Sequence, residues 1–211
     1  MLFSDRYQAG QLLAEKLTAE LNVFPDASWL VLAIPRGGVI VGHQIAKNLK
    51  IPLDIILSQK IGAPQNPELA IGAVGPMGEP AIDEKMVAKL NVSQKYLQKK
   101  IAEIKKEIVF KEKLWRKGKS PLNLTNKTIL LVDDGVATGA TLQVALEIIR
   151  QANPQKIIVA TPIISKDALA NLAKNADQVV YLEAPELFFA VGQFYQNFDQ
   201  TTDKEVQELL K

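Results

Sequence analysis

Thr128-Ile129-Leu130-Leu131-Val132-Asp133-Asp134-Gly135-Val136-Ala137-Thr138-Gly139-Ala140-Thr141-Leu142 is the stretch that decides the fold. Its first five residues are an apolar, β-branched run of the kind that makes a strand buried on both faces. The run delivers two adjacent carboxylates, then a loop of small residues, then a helical pattern over 141–151. In open α/β sheets, ligands bind just beyond the carboxyl ends of the strands. Small residues at 135, 137, 139 and 140 let backbone N–H groups approach an anion closely. Thr138 and Thr141 add hydroxyl donors, and the helix N-terminus adds positive potential. Such a loop suits a phosphate. Carboxylates repel phosphate, so Asp133 and Asp134 must face sugar hydroxyls or a metal ion. Asp-Asp-Gly alone is an ordinary turn and Thr138 an ordinary helix cap; the whole string points to a phosphorylated sugar.

Working outward, 29–34 is a second solid apolar run, ended by Pro35-Arg36-Gly37-Gly38 and read as a strand stopped by a glycine turn. A helix follows through Val41, Ile45 and Leu49, and 53–57, 127–132, 156–161 and 178–182 repeat the buried-strand pattern. Strands apolar on both faces, alternating with helices, predict an α/β fold with a mainly parallel sheet flanked by helices. The 5–22 stretch is an amphipathic helix on Leu12, Leu13, Leu17 and Leu21. Residues 62–83 hold too many Pro and Gly for a packed helix; 70–74 and 80–82 can pair as a hairpin, the segment forming a lid. A long helix over 93–117 carries Leu97, Ile101, Ile104, Ile108 and Trp115 on one stripe, with Glu107–Lys111 and Glu112–Arg116 as favourable pairs. Between 95 and 119 there are ten Lys or Arg against three Glu. That excess is either a solvated helix face or a patch that attracts anions.

Composition excludes several classes of chemistry. Across 211 residues the net charge is only +2, which gives no general reason to expect nucleic acid or an anionic membrane. The absence of cysteine removes disulfides, thiolate zinc sites and thiol nucleophiles. His43 is the one histidine, so histidine cages are excluded; within its helix pattern it reads as structural or surface. No apolar run approaches a membrane span, and Asp5 and Arg6 interrupt the start where a signal peptide would be apolar. The expectation is a single domain over 1–211 in the cytoplasm.

The 128–142 string resembles the phosphoribosyl pyrophosphate (PRPP) signature of the type I phosphoribosyltransferases: apolar residues, two acidic ones, then Thr-Gly-x-Thr. Ala33-Ile34-Pro35-Arg36-Gly37-Gly38 is similar to that family's pyrophosphate loop, in which Arg36 offers a planar fork and the glycines allow close approach. Gln59-Lys60-Ile61-Gly62 resembles the Arg-Lys-x-Gly of adenine-type members, with Gln59 where those have arginine and Lys60 as the remaining cation. The 66–73 stretch Asn-Pro-Glu-Leu-Ala-Ile-Gly-Ala and the 185–195 tail resemble a little-characterised branch of the same family.

The resemblance implies a type I phosphoribosyltransferase-like fold with a flexible lid hairpin (62–83) and a small hood, formed by 183–211 with the N-terminal helix. It implies transfer of 5-phosphoribosyl from PRPP to a nitrogenous base or related acceptor, with Mg²⁺ as cofactor and pyrophosphate released. Asp133, Asp134, Gly135, Val136, Ala137, Thr138, Gly139, Ala140 and Thr141 would bind PRPP, and Arg36, Gly37, Gly38 and Lys60 its pyrophosphate. Asp133 and Asp134 would also meet the metal, indirectly through water or ribose hydroxyls, and with Glu68 form the catalytic set. Ala137 stands where 6-oxopurine enzymes carry an acidic residue, which argues against those acceptors. A dimer is expected. The competing reading is a PRPP sensor without catalysis, its basic helix contacting nucleic acid; the absence of a recognisable DNA-binding motif disfavours it.

Overall fold

A computed structural model of the chain describes residues 2–21, 28–75 and 80–211, except for the side chain of Glu68. Helix α1 (Arg6–Glu20) is followed by β1 (Trp29–Ala33), α2 (Gly37–Leu49) and β2 (Leu53–Ile55). Then come β3 (Gln59–Ala63), β4 (Asn66–Val74), β5 (Pro80–Ile82), α3 (Glu84–Lys89) and α4 (Gln94–Trp115). The second half alternates β6 (Thr128–Val132), α5 (Ala140–Gln151), β7 (Lys156–Ile163), α6 (Lys166–Leu172) and β8 (Gln178–Glu183). A 3₁₀ turn (Val191–Phe194) and α7 (Asp203–Leu209) complete it.

Five strands form one parallel sheet in the order β2-β1-β6-β7-β8. Its unbroken apolar runs arise because both faces are covered. Leu30, Leu32, Ile129 and Leu131 pack with Leu142, Leu146 and Ile149 of α5. The alternate residues Val31, Leu130 and Val132 pack with Leu13 and Leu17 of α1 and Val41 and Ile45 of α2. Strand order grows from β1 in opposite directions, to β2 on one side and β6 on the other. That reversal opens a crevice at the carboxyl ends of β1 and β6. The two ends are in register, Ala33 beside Val132, with Ile34 N–H donating to the Val132 carbonyl at 2.8 Å.

Three expectations are revised. Gly37 and Gly38 do not form a separate turn but begin α2 directly. A side chain at Gly38 would stand 3.0 Å from the Asp133 Cα and from the Val132 carbonyl oxygen, so the helix starts tight against the end of β6, where any side chain would have to push that backbone aside by a few tenths of an ångström. The expected pairing of 70–74 with 80–82 forms, but the 62–83 segment is more than a hairpin: β3 extends it into a three-stranded antiparallel sheet, β3-β4-β5, which starts at Gln59. Ile61, Ile71 and Val74 of this sheet are buried against Leu97, Ile104 and Ile108 of α4, so its base is core; residues 76–79 at its tip lie outside the described residues. Lastly, Glu107 and Lys111 pair at 2.6 Å as expected, but Arg116 turns from Glu112 to Asp54 of β2. Arg116 Nε and Nη2 donate to the two Asp54 oxygens at 2.8 and 2.9 Å, a fork-to-carboxylate fit an exposed helix pair cannot match.

Candidate functional site

The loop from β6 to α5 is strapped to the next strand and helix. Val136 N–H donates to the Ile163 carbonyl and Ser165 N–H to the Val136 carbonyl, both at 2.9 Å; Ser165 Oγ–H donates to the Ala137 carbonyl at 2.6 Å. Gly139 takes φ +76°, a left-handed turn that glycine adopts without Cβ strain, and α5 begins immediately after it. Gly139 rather than Thr138 therefore occupies the cap. Among the described residues, Thr138 Oγ accepts only a long 3.4 Å bond from Ala140 N–H, and Thr138 is exposed. Among the described residues, the N–H groups of Ala137, Thr138 and Gly139 meet no protein acceptor. They are available to an anion.

Two cavities flank this loop. One, of about 200 Å³, is lined by Asp133, Gly135, residues 136–142 and Val191. The other, of about 330 Å³, lies between the loop and β3, lined by Ser58, Gln59, Lys60, Thr138, Ala140, Thr141 and Val144. Among the described residues, the Ser58 hydroxyl is buried there without a hydrogen-bond partner.

The acidic pair is built asymmetrically. Asp133 Oδ1 accepts from Asp134 N–H at 2.9 Å, and Asp133 is among the residues lining the smaller cavity. Burial first, and the neighbouring Asp134 carboxylate second, push the Asp133 carboxyl well above the usual carboxylate range. Asp134 instead accepts from Arg6 Nε at 2.6 Å, and its carbonyl accepts from the Tyr195 hydroxyl at 2.5 Å. Burial and then Asp134 push the Tyr195 phenol upward, which keeps it a donor. Arg6 Nη1 also donates to the Asp199 carbonyl at 2.8 Å, and its guanidinium lies 3.8 Å over the Phe198 ring.

The β1–α2 loop closes the crevice from the other side, Gly37 against Asp134 and Gly38 against Asp133. The Pro35–Arg36 peptide bond is cis. Arg36 Nη1 lies 3.6 Å from Asp203 Oδ1 at the start of α7, both side chains partly open to solvent.

The structure thus gathers Gly37, Gly38 and residues 133–141 at one sheet edge, with Lys60 across the larger cavity and Arg36 at the rim toward α7. Glu68 lies on β4, its side chain outside the described residues. His43 Nδ1 lies 3.1 Å from the Leu209 carbonyl, a structural contact. Phe194 and Tyr195 are buried, whereas Phe189 is 84% exposed. The sequence reading missed Arg6, Ser58 and the Tyr195 hydroxyl. Arg6 follows the Asp5 helix cap, and its partner is 128 residues away; no local signal marks it.

An open parallel sheet carrying an anion-ready loop and an acidic pair at its switch point defines an α/β protein whose candidate ligand site lies at the carboxyl edge of the strands. The phosphoribosyl transferase domain family matches residues 5–198, and the chain belongs to that family. It is 39% identical to "Putative phosphoribosyl transferase Rv0571c" of Mycobacterium tuberculosis over 99% of its own length. The chain spans about half of that relative, 46%. It also resembles the crystal structure of TT1426 from Thermus thermophilus, at 38% identity and TM-score 0.89, covering 100% of this chain and 98% of that one. A hypothetical protein from Neisseria gonorrhoeae, solved with bound ppGpp, shares the fold at TM-score 0.51 and 14% identity, covering 100% and 93%. Among the described residues no helix is long and apolar enough to cross a membrane.

Proposed function

We propose that this chain transfers the 5-phosphoribosyl group of PRPP to a nitrogenous base or related acceptor and releases pyrophosphate. The observation that carries the reading is the contact of the two loops, Gly37 and Gly38 against Asp134 and Asp133, beside a cavity whose wall presents unpaired N–H groups. The Ala137, Thr138 and Gly139 N–H groups and the Thr138 and Thr141 hydroxyls hold the 5-phosphate. Asp133 accepts from the ribose hydroxyls. Arg36, Lys60 and the Gly37–Gly38 backbone take the departing pyrophosphate, Arg36 exchanging its Asp203 contact for phosphate oxygens. No enzyme nucleophile is required: holding both ends of the sugar while charge leaves C1 lowers the barrier by positioning and electrostatics. The β3-β4-β5 sheet serves as the lid that excludes water, and Glu68, carried on β4, completes the catalytic set. The 183–211 segment with α1 forms the hood.

The residues suit Mg²⁺ carried in with its substrate. Among the described residues no group of three or more metal-ligating side chains exists, and Asp134 is engaged by Arg6. Mg²⁺ commonly binds through one or two carboxylates plus substrate phosphates, and Asp133 is the carboxylate that would hold it. When bound it neutralises charge on the diphosphate.

The test is a panel of purine, pyrimidine and non-nucleobase nitrogen acceptors with PRPP and Mg²⁺, read by pyrophosphate release. Release with at least one acceptor, abolished by Asp133→Asn, is expected. PRPP that neither binds nor turns over under any condition would sink the reading.

A further inference from the structure

Segments far apart in the chain converge on Asp134. Arg6, at the start of α1, reaches its carboxylate; Phe198 and the Asp199 carbonyl hold Arg6 from the other side; Tyr195 holds the Asp134 carbonyl. The ring of Tyr195 stacks on Phe198 at 5.0 Å and meets Phe3 at 5.3 Å, so the support under Arg6 is itself packed. The Arg6 and Asp134 side chains are only 10% and 14% exposed. By contrast, the acidic residue among those lining the cavity over the 135–142 loop is Asp133.

We propose that Arg6 is a positioning residue that ties Asp134 into the seam between α1 and the 195–199 segment, so that the two carboxylates have different tasks: Asp134 anchors, and Asp133 contacts the ligand sugar. The inference rests on the phosphoribosyl reading of this site. Its physics is charge placement. Two neighbouring carboxylates beside a polyanionic ligand repel it unless one is compensated. Arg6 supplies that compensation from outside the cavity. Its planar fork bonds Asp134 and the Asp199 carbonyl together while stacking on Phe198; lysine, a single point charge, cannot make all three contacts. Released from Arg6, the Asp134 carboxylate is free to turn on the short Asp133–Gly135 linkage and disturb the Asp133 geometry.

A staple that merely joined the two ends of the fold would stabilise the protein without discriminating between ligands. The experiment therefore titrates the full chain with Mg²⁺–PRPP and, separately, with inorganic phosphate, for wild type, Arg6→Met, Asp134→Asn and the double variant. Inorganic phosphate needs only the loop, whereas PRPP needs the loop and the carboxylates. Arg6→Met is expected to weaken PRPP roughly ten-fold or more, the scale of one charge-assisted hydrogen bond, and to leave inorganic phosphate nearly unchanged. In the Asp134→Asn background the same change adds little, because Arg6 acts through Asp134. Wild-type PRPP affinity in Arg6→Met, or losses that multiply in the double variant, would overturn the proposal. If Arg6→Met does not fold, Phe198→Leu keeps both charges and removes the stacking platform. A several-fold loss of PRPP affinity with phosphate binding intact is then expected, and unchanged PRPP affinity counts against the role. Failure of the wild type itself to bind PRPP would instead remove the functional reading, and this inference with it.

Discussion

Gly37, the first residue of α2, lies so close to Asp134 that a Cβ there would overlap the Asp134 carboxylate and approach Arg6 Nε at 2.8 Å. Helix, acidic pair and Arg6 are thus packed without room for one methyl group. Gly37→Ala must displace the carboxylate or the helix start, an overpacking that typically costs about 1–3 kcal/mol. Urea denaturation should show that loss, and PRPP titration a weakened affinity. Full stability and affinity together would mean that the two loops are not in contact.

Loop residues come next. Thr138 and Thr141 are exposed beside the unpaired N–H groups and carry little of the fold. Thr138→Ala and Thr141→Ala are expected to weaken PRPP roughly ten-fold each, one hydrogen bond to a charged group, with little change in Tm. Calorimetry with unchanged affinity in both variants would remove the phosphate assignment of this loop.

Asp133 predicts a pH dependence of stability. Its folded-state pKa is raised above the unfolded value, by burial and then by Asp134, so the native state holds a proton that the unfolded chain releases. Stability from this group is therefore full below the unfolded carboxylate pKa and falls as pH rises through the folded one. Asp133→Asn stays neutral and can still accept from Asp134 N–H. Without ligand it should lose this fall and gain stability relative to wild type as pH increases. Denaturation midpoints of both proteins at pH 5 and pH 8 measure it; parallel curves would contradict the shift.

How much of this was written in the sequence depends on the range of each signal. The parallel core was legible because Thr128–Val132 and Trp29–Ala33 are apolar on both faces, which only a doubly covered sheet explains. The phosphate loop was legible because its parts are consecutive. Strand β3 was not: Gln59-Lys60-Ile61-Gly62-Ala63 is short and half polar, and becomes a strand through pairing with β4 and burial of Ile61 under α4. Arg6 and Arg116 both escaped, since their partners Asp134 and Asp54 lie 128 and 62 residues away and only the folded chain brings them together.

Arg116 and Asp54 supply a stability prediction away from the site. Their side chains are 9% and 12% exposed, so removing one leaves a largely buried charge. Asp54→Ala should cost about 3–5 kcal/mol, towards the lower end because Arg116 keeps its bond to the Ser120 carbonyl. Arg116→Met combined with Asp54→Leu should be less damaging than Asp54→Ala alone, since no charge is then stranded. Urea midpoints of the single and double variants decide it, and equal or greater damage in the double would mean that the pair contributes net stability.

The basic helix separates an enzyme from a nucleic-acid-binding sensor. One face of α4 is committed to the core through Leu97, Ile104, Ile108 and Trp115. On the outer face, Lys99 and Lys100 approach Glu103, and Lys111 bonds Glu107 at 2.6 Å, so part of the positive charge is already answered within the helix. The interspersed glutamates would also repel a phosphate backbone. A surface that gripped nucleic acid through several lysines would lose affinity steeply with salt, by counterion release. The expected result is weak, sequence-indifferent binding to DNA and RNA fragments at low salt that disappears at physiological salt. Submicromolar, sequence-selective binding at physiological salt, with no pyrophosphate released for any acceptor, would shift the assignment to the sensor.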